Sequence, residues 1–379
     1  MITAELTHLF FQQYWWFLVS LLGALLVFLL FVQGGQTLIY TIGKDDTQRN
    51  MIVNTLGRKW EFTFTTLVTF GGAFFASFPL FYSSSFGGAY WAWTALLLAF
   101  TIQAVSYEFR SKAGNVFGPK FFESLLFING LLGTILIGTV VGTFFNGSEF
   151  LISDMKAVDW QNNARGLEAV LNWHNVALGL AIFFLARILG LLYFAMTIHH
   201  DEMYKRIKKH LWINTVPFLV FFLAFVIWLL LKDGFAVDEN GVVSMEAYKY
   251  LHNFLAMPVV LIMFLLGVVA VLFGIIKTLF NKNQYDKGFW FVAPGTVFTV
   301  LAVLLIAGYN NTAFYPSVSD LQSSLTIQNS SSSLFTLKVM TVVSFMIPFV
   351  LAYIVYAWRS INKKKITTEE INDKNEITY

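Results

Sequence analysis

The residues able to do chemistry in this sequence are few, and most stand where a long apolar run meets a polar one. Glu61 opens the second apolar run directly after Trp60, Glu108 and Arg110 close the third, and Glu123 begins the fourth. An ionisable group at such a place is a functional candidate, because a charge in hydrocarbon is costly to keep. Glu61 and Glu108 are therefore the candidates for a proton path. Each also has a plainer reading. Glu61 would cap the positive N-terminal end of its helix at the water boundary. Glu108 and Lys112, four residues apart, would pair along one helix face. Arg187 falls in mid-run and is read as pairing with a carboxylate or a partner subunit rather than carrying substrate; with no obvious acid at its depth, a partner-subunit or lipid contact is favoured.

Imidazole is a common axial ligand of haem iron, and the chain has six histidines. His199, His200 and His210 lie in a basic loop and His8 precedes the first run. His174 and His252 lie near the ends of two apolar runs at similar depth, which makes them the weak candidates for a haem sandwich. The reading with more weight is interfacial histidines hydrogen-bonded to loops. Cysteine is absent, which removes disulfides, thiolate metal sites and a cysteine nucleophile. No metalloprotease, phosphate-loop, dinucleotide or nucleophile-elbow pattern stands out. The residues assign no catalytic group and no metal site to this chain.

The elements that must position these groups follow from composition. Of 379 residues, 57% are hydrophobic, 18% aromatic and only 12% charged, against roughly 25% charged in a soluble domain. Too little polar surface exists to coat a soluble globule. This excludes an ordinary soluble enzyme, a disordered chain and a nucleic-acid binder. A helix needs about 20 mostly apolar residues to cross a bilayer. Nine stretches meet or approach that length: 15–32, 62–82, 89–105, 125–145, 173–198, 211–231, 254–276, 289–309 and 339–357. Lys and Arg alternate across them, 19 in one set of loops and the tail and four in the other. The rule that cytoplasmic loops are basic places the N-terminus outside and the C-terminus in the cytoplasm. The first run lacks the basic lead-in and small-residue cleavage site of a signal peptide.

The expected fold is all-α, a polytopic membrane protein of about nine spans, arranged as two four-helix bundles and one extra helix. The blocks are 1–145, 146–310 and 311–379, the last holding an outer loop, the ninth span and a basic tail. The loops 147–172, 232–250 and 310–337 are expected to be solvated. The tail from Asn362 is expected to be a short helix at the headgroups or disordered. Gly71, Gly72 and Gly130 would permit close helix approach. With so few polar groups in its spans, the chain reads as one subunit of a larger complex. A stand-alone secondary transporter is the rival, although polar midplane sites are sparse.

Several segments resemble the second subunit of the cytochrome bd quinol oxidases (the CydB family). They are Tyr14-Trp15-Trp16-Phe17 before a long apolar helix, the stretch Asp45 to Thr55, Trp60-Glu61 where that family has Trp-Asp, and Gly71-Gly72 through Pro79 with Tyr82. Tyr107-Glu108-Phe109-Arg110-Ser111-Lys112, Ser324 to Ile327 and Leu337 to Thr341 also fit. The structural motif is thus carried by Trp60, Gly71, Gly72, Pro79, Arg110 and Lys112. There are departures. The family's Asp-Gly-Phe-Asp reads Gln33-Gly34-Gly35-Gln36, so both carboxylates are lost, and Thr66 stands where that family has a Trp.

The resemblance implies a bacterial plasma-membrane oxidase that oxidises quinol and reduces oxygen to water. Subunit I would carry and ligate haem b and haem d, with the quinol site on its outer side. Subunit II would hold the haems in place and help supply protons or oxygen, with Glu61 at the start of a proton path. Small accessory subunits, and lipid or quinone between helices, are further partners, and nucleic acid is not. A cyanide-insensitive variant of the oxidase would differ in the partner rather than in this chain.

Overall fold

A computed structural model describes residues 2–112, 114–281 and 283–368. Lys282 and the tail from 369, including Lys374, which were counted among the basic loop charges, lie outside the described residues. The chain is overwhelmingly helical. α1 (Ile2–Leu29) runs almost unbroken into α2 (Phe31–Gln36), followed by α3 (Ile39–Ile42), α4 (Asp46–Gly57) and α5 (Trp60–Ser77). α6 (Pro79–Phe81) leads through a π-helical turn, Tyr82–Gly87, to α7 (Tyr90–Phe109) and α8 (Pro119–Asn146). After a hairpin of β1 (Phe150–Ile152) and β2 (Val158–Trp160) come α9 (Trp173–Thr197) and α10 (Asp201–Leu231). A second hairpin, β3 (Gly234–Val237) and β4 (Val243–Glu246), precedes α11 (Lys249–Ala256), α12 (Pro258–Phe280), α13 (Phe289–Gly308), α14 (Leu334–Ser344) and α15 (Ile347–Ile361).

Local chemistry sets the breaks. Asp45 caps α4, its Oδ1 accepting from Gln48 N–H at 2.8 Å, which satisfies one of the free first-turn donors. Pro79 lacks an N–H and pushes Phe78 out of helical geometry, to φ −132° and ψ 66°, so α5 stops there. The axes before and after that break differ by 119°.

All nine expected segments are helical, but their number as spans is not confirmed. Among the described residues seven helices are long and apolar enough to cross a membrane, or eight if the pair bent at Pro79 counts as one span. α7, the expected third span, has the length at 20 residues but is not among those apolar enough.

Packing joins the first and second halves of the chain. α1 lies against α13, α2 and α8 lie against α9, and one hydrophobic core draws on all of them. Close approach between α2 and α9 depends on Gly34, where a Cβ would sit 2.1 Å from the Ala186 carbonyl. Gly130 behaves as expected, a Cβ there meeting the Gln33 carbonyl oxygen at 2.3 Å. Gly71 would first meet the Phe86 ring, at 3.2 Å, and Gly72 faces open space, with nothing within 4 Å.

The long polar loop 310–337 is more than a solvated connection. Phe314 and Tyr315 are buried in the end of the bundle. Phe314 packs on Trp16 with ring centroids 4.4 Å apart, and Tyr315 stacks on Phe150 at 5.2 Å. The start of the tail is also tied down, since Ile366 pairs with the α9–α10 connection, donating to Thr197 O and accepting from His199 N–H.

Candidate functional site

At the end of the bundle that carries the basic loops, Arg110 caps α7 and meets Glu123 in the second turn of α8. Arg110 Nε and Nη2 both donate to Glu123 Oε1, at 3.1 and 2.7 Å. Nη2 also donates to Asn50 Oδ1 at 2.5 Å. Arg49 Nε stands 3.7 Å from Glu123 Oε2, and Arg49 pairs with Asp46 on its other side. Glu123 is 2% exposed and Arg110 5%. One buried carboxylate between two guanidinium groups thus ties α4, α7 and α8 together, and removing either side would strand a charge.

Polar contacts continue inward from this cluster. Gln36 Nε2 donates to the Tyr107 hydroxyl at 3.1 Å, and Gln33 Nε2 to Gln103 Oε1 at 3.1 Å. Asn129 Nδ2 donates to the Ala99 carbonyl at 2.9 Å. Trp60 stacks on Tyr107, with centroids 5.9 Å apart and planes 12° from parallel. Gln33 and Gln36, the departures from the family's carboxylates, are therefore paired amides in a fully buried column. Gln33 Oε1, Gln36 Oε1, Gln103 Nε2 and Asn129 Oδ1 have no partner among the described residues. This mixture of acceptors and a donor is what a bridging water satisfies. Thr66, the other departure, turns its hydroxyl onto its own helix, donating to Phe62 O at 2.7 Å.

The two proton-path candidates lie at this same end but on the outside. Glu61 and Glu108 are exposed, on neighbouring helices joined by the Trp60–Tyr107 stack. α7 ends at Phe109, so no helical face carries Glu108 on to Lys112, and no ion pair joins them among the described residues. Lys112 is exposed. Glu61 begins a polar stripe on α5 with Thr65 and Thr69, and Glu108 ends one on α7 with Thr94 and Thr101, all exposed.

At the opposite end, His174 is fully buried. One ring nitrogen, Nε2, lies 3.1 Å from Phe225 O, and the other, Nδ1, lies 2.9 Å from Asn146 Nδ2. Asn146 Oδ1 in turn accepts from Lys232 Nζ at 3.0 Å, and Lys232 also donates to Phe145 O, capping α8. Burial pushes the Lys232 ammonium down to about 8, against the attraction of Asp233. His252 is exposed and bonded to Glu246, Nδ1 to Oε1, at 2.8 Å. Its hydrogen bond, with those of Lys249, holds the Glu246 carboxyl below its ordinary range. One histidine is locked in a buried network and the other pairs in a surface loop, so they do not make a haem sandwich. Arg187 meets no acid among the described residues: Nε donates to Asn214 Oδ1 at 2.7 Å and Nη1 to Thr37 Oγ1 at 3.1 Å.

Between the two halves lies an apolar cavity of about 110 Å³. Gly23, Phe70, Ile137, Leu178, Val271 and Thr299 are among its lining residues, drawn from α1, α5, α8, α9, α12 and α13.

The model of the family described as cytochrome bd terminal oxidase subunit II matches residues 11–361. The chain belongs to that family. A probable cytochrome oxidase subunit 2 of Haemophilus influenzae is 28% identical, the alignment covering 93% of this chain and 94% of the relative. The cytochrome bd-I ubiquinol oxidase subunit 2 of Escherichia coli is 27% identical over 96% of this chain and 97% of its own. The Bacillus subtilis cytochrome bd ubiquinol oxidase subunit 2 is 24% identical over 89% and 90%. A chain of the bd oxidase from Geobacillus thermodenitrificans superposes with TM-score 0.62 at 10% identity, covering 95% of this chain and 98% of that one. That likeness concerns the fold. The chain is thus a multi-pass bacterial membrane protein and a subunit of a bd-type oxidoreductase, and a stand-alone transporter is not favoured.

Within this subunit II, sequence reasoning placed Glu123, and Asn50 inside a motif stretch, but gave neither a role, and it passed over Gln103. A signal existed for Glu123, an acid in the second turn of a helix whose following 23 residues carry no charge. Nothing local marks Gln103 as the partner of Gln33, 70 positions away.

Proposed function

We propose that this chain is the second subunit of a quinol-oxidising, oxygen-reducing complex, docked against a haem-bearing subunit I. The observation that carries the docking is the pair of exposed carboxylates, Glu61 on α5 and Glu108 on α7, in line with exposed Thr65, Thr69, Thr94 and Thr101, of which Thr65, Thr69 and Thr101 bond their own helices. Polar groups on the outside of a membrane helix are favoured against another protein rather than lipid. Haem b and haem d would be ligated by subunit I. The donor set of this chain does not fit a haem of its own, because both His174 ring nitrogens have partners and His252 is held by Glu246. The basic loops would face the cytoplasm, with the N-terminus outside and the C-terminus inside. The helices before and after residue 146 would form the two halves of the subunit, and lipid or quinone would lie between helices.

Protons for water formation would enter from the cytoplasmic side past Glu61, with Glu108 beside it. The buried amide column from Glu123 to Gln33 supplies polar groups for water behind them. Trp60 and Arg110 would keep that end of the bundle in shape, while Gly71 and Pro79, in the far half of α5 and just beyond it, would shape the opposite end. The activity belongs to the complex rather than to this chain alone.

Purification through a tag on this chain tests the reading. The expected result is a second large membrane subunit and a reduced-minus-oxidised spectrum with a haem d band; a colourless, solitary chain would sink it. For the proton role, Glu61→Gln should slow oxygen consumption several-fold with haem content intact. Unchanged turnover would remove Glu61 from the path.

A further inference from the structure

The connection between α7 and α8, at the basic end, has no use in the function above, yet it holds large apolar side chains away from the protein. Val116 is 91% exposed and Phe117 71%. Apolar side chains presented together mark a surface that something else covers. The tip that carries them is built rather than slack. Asn115 Oδ1 accepts from the N–H of Phe117 at 3.1 Å and of Gly118 at 2.9 Å, and Asn115 Nδ2 donates to Arg110 O at 3.0 Å. Arg110 is itself held by Glu123, so the tip is tied to the buried ion pair. Gly118, at φ 76°, takes the left-handed conformation that glycine allows and turns the chain into α8.

The length of α8 sets the level of the tip. Its 28 residues span about 42 Å at 1.5 Å per residue, against about 30 Å of hydrocarbon. Shared between the two ends, the surplus leaves the first turn of α8, and Phe117 beside it, among the headgroups. Phe117 stacks on Phe121 with ring centroids 4.8 Å apart. Phe121 in turn opens an exposed line with Phe127, Ile128 and Leu132 that runs down α8 into the hydrocarbon. The one exposed polar residue between Phe121 and Leu132 is Ser124, which bonds its own helix at Lys120 O.

Charge says which surface covers the tip. From Arg110 to Phe122 the chain carries Arg110, Lys112 and Lys120 and no acid. Lys112 and Lys120 are exposed on either side of the apolar pair. An apolar tip flanked by free cations is complementary to an anionic lipid leaflet, with rings in the acyl boundary and ammonium groups at the phosphates. The outward faces of α5 and α7, with their carboxylates, lack that complementarity. We propose that the α7–α8 loop is a membrane-surface anchor, in which Val116 and Phe117 enter the leaflet on the basic side while Lys112 and Lys120 engage its anionic headgroups. The anchor is independent of oxygen chemistry and rests only on the chain spanning a membrane.

Spin-label depth measurement on the complex tests it. The chain has no cysteine, so Val116→Cys gives one nitroxide position in it, with the labelled parent as the background control. Asp154→Cys, in the exposed turn of the β1–β2 hairpin, is the aqueous reference. The complex is placed in vesicles of phosphatidylcholine with or without phosphatidylglycerol, without quinol so that oxygen is not consumed. Power saturation then compares collision with oxygen, which partitions into lipid, and with a neutral nickel chelate, which stays in water. The expected ratio of oxygen to nickel collision is several-fold higher at 116 than at 154. Lys112→Gln with Lys120→Gln should lower the ratio at 116 about twofold in vesicles containing phosphatidylglycerol and leave it unchanged without that lipid. Equal ratios at 116 and 154 would overturn the anchor by placing the tip in water. An immobile label shielded from both reagents would overturn it in favour of a protein partner. An unchanged ratio in the double lysine variant would overturn the headgroup contact.

Discussion

Glu123 gathers more charge than any other carboxylate among the described residues, and its burial makes it an anchor. Arg110 and Arg49 both approach it from neighbouring elements. Replacing it by Gln leaves Arg110 buried without its counterion, which should cost about 3–5 kcal/mol. The double change Glu123→Met with Arg110→Met should recover most of that loss, and thermal unfolding of the two variants measures the difference. Lys232 predicts a pH dependence of opposite character. Its folded pKa is lowered to about 8 from 10.5, so between those values the unfolded chain holds a proton that the folded chain has released. Stability from this group therefore rises as pH climbs from about 8 to about 10.5. Unfolding temperatures across that window should rise less in Lys232→Met than in the parent.

Helix pairs owe their contact to where side chains are missing. A Cβ at Gly34 would strike the Ala186 backbone at 2.1 Å, whereas one at Gly72 would meet nothing within 4 Å. Gly34→Val should therefore separate α2 from α9 and cost at least the upper end of the roughly 1–3 kcal/mol of an overpacked core. Gly72→Ala should be silent. Yield of monodisperse protein and its unfolding temperature separate the two. Sequence resemblance put both glycines in motif stretches, and only the packing distinguishes them. The same holds for Arg187: its apolar run offered no acid, and the partner is an amide, Asn214, on the next helix.

For the whole molecule, the question is which side faces another protein. On the proposed docking, the stripes on α5 and α7 mark that side, because the apolar remainder of the surface suits lipid and a partner equally. Thr65→Trp and Thr101→Trp, which fill that face with bulk, should reduce co-purification of the haem-bearing subunit several-fold while the chain itself still accumulates. Retention of full haem content would place the partner elsewhere.

Much of this protein was legible in its residues. The apolar runs showed where helices form, because a chain in hydrocarbon must satisfy its backbone within each segment, and that is local information. The alternation of Lys and Arg set which loops share a side, and the motifs from Tyr14 to Lys112 pointed to the family. What the sequence could not show is how each helix is rotated about its axis. Runs such as α13 are apolar all round, so no polar face declares the inward side. Tertiary structure alone decided that Glu123 meets two arginines, that Gln33 meets Gln103, and that Glu61 and Glu108 face outward. It alone decided that Lys59 lies under Trp358, from 299 residues away, because those contacts arise only when separate helices pack.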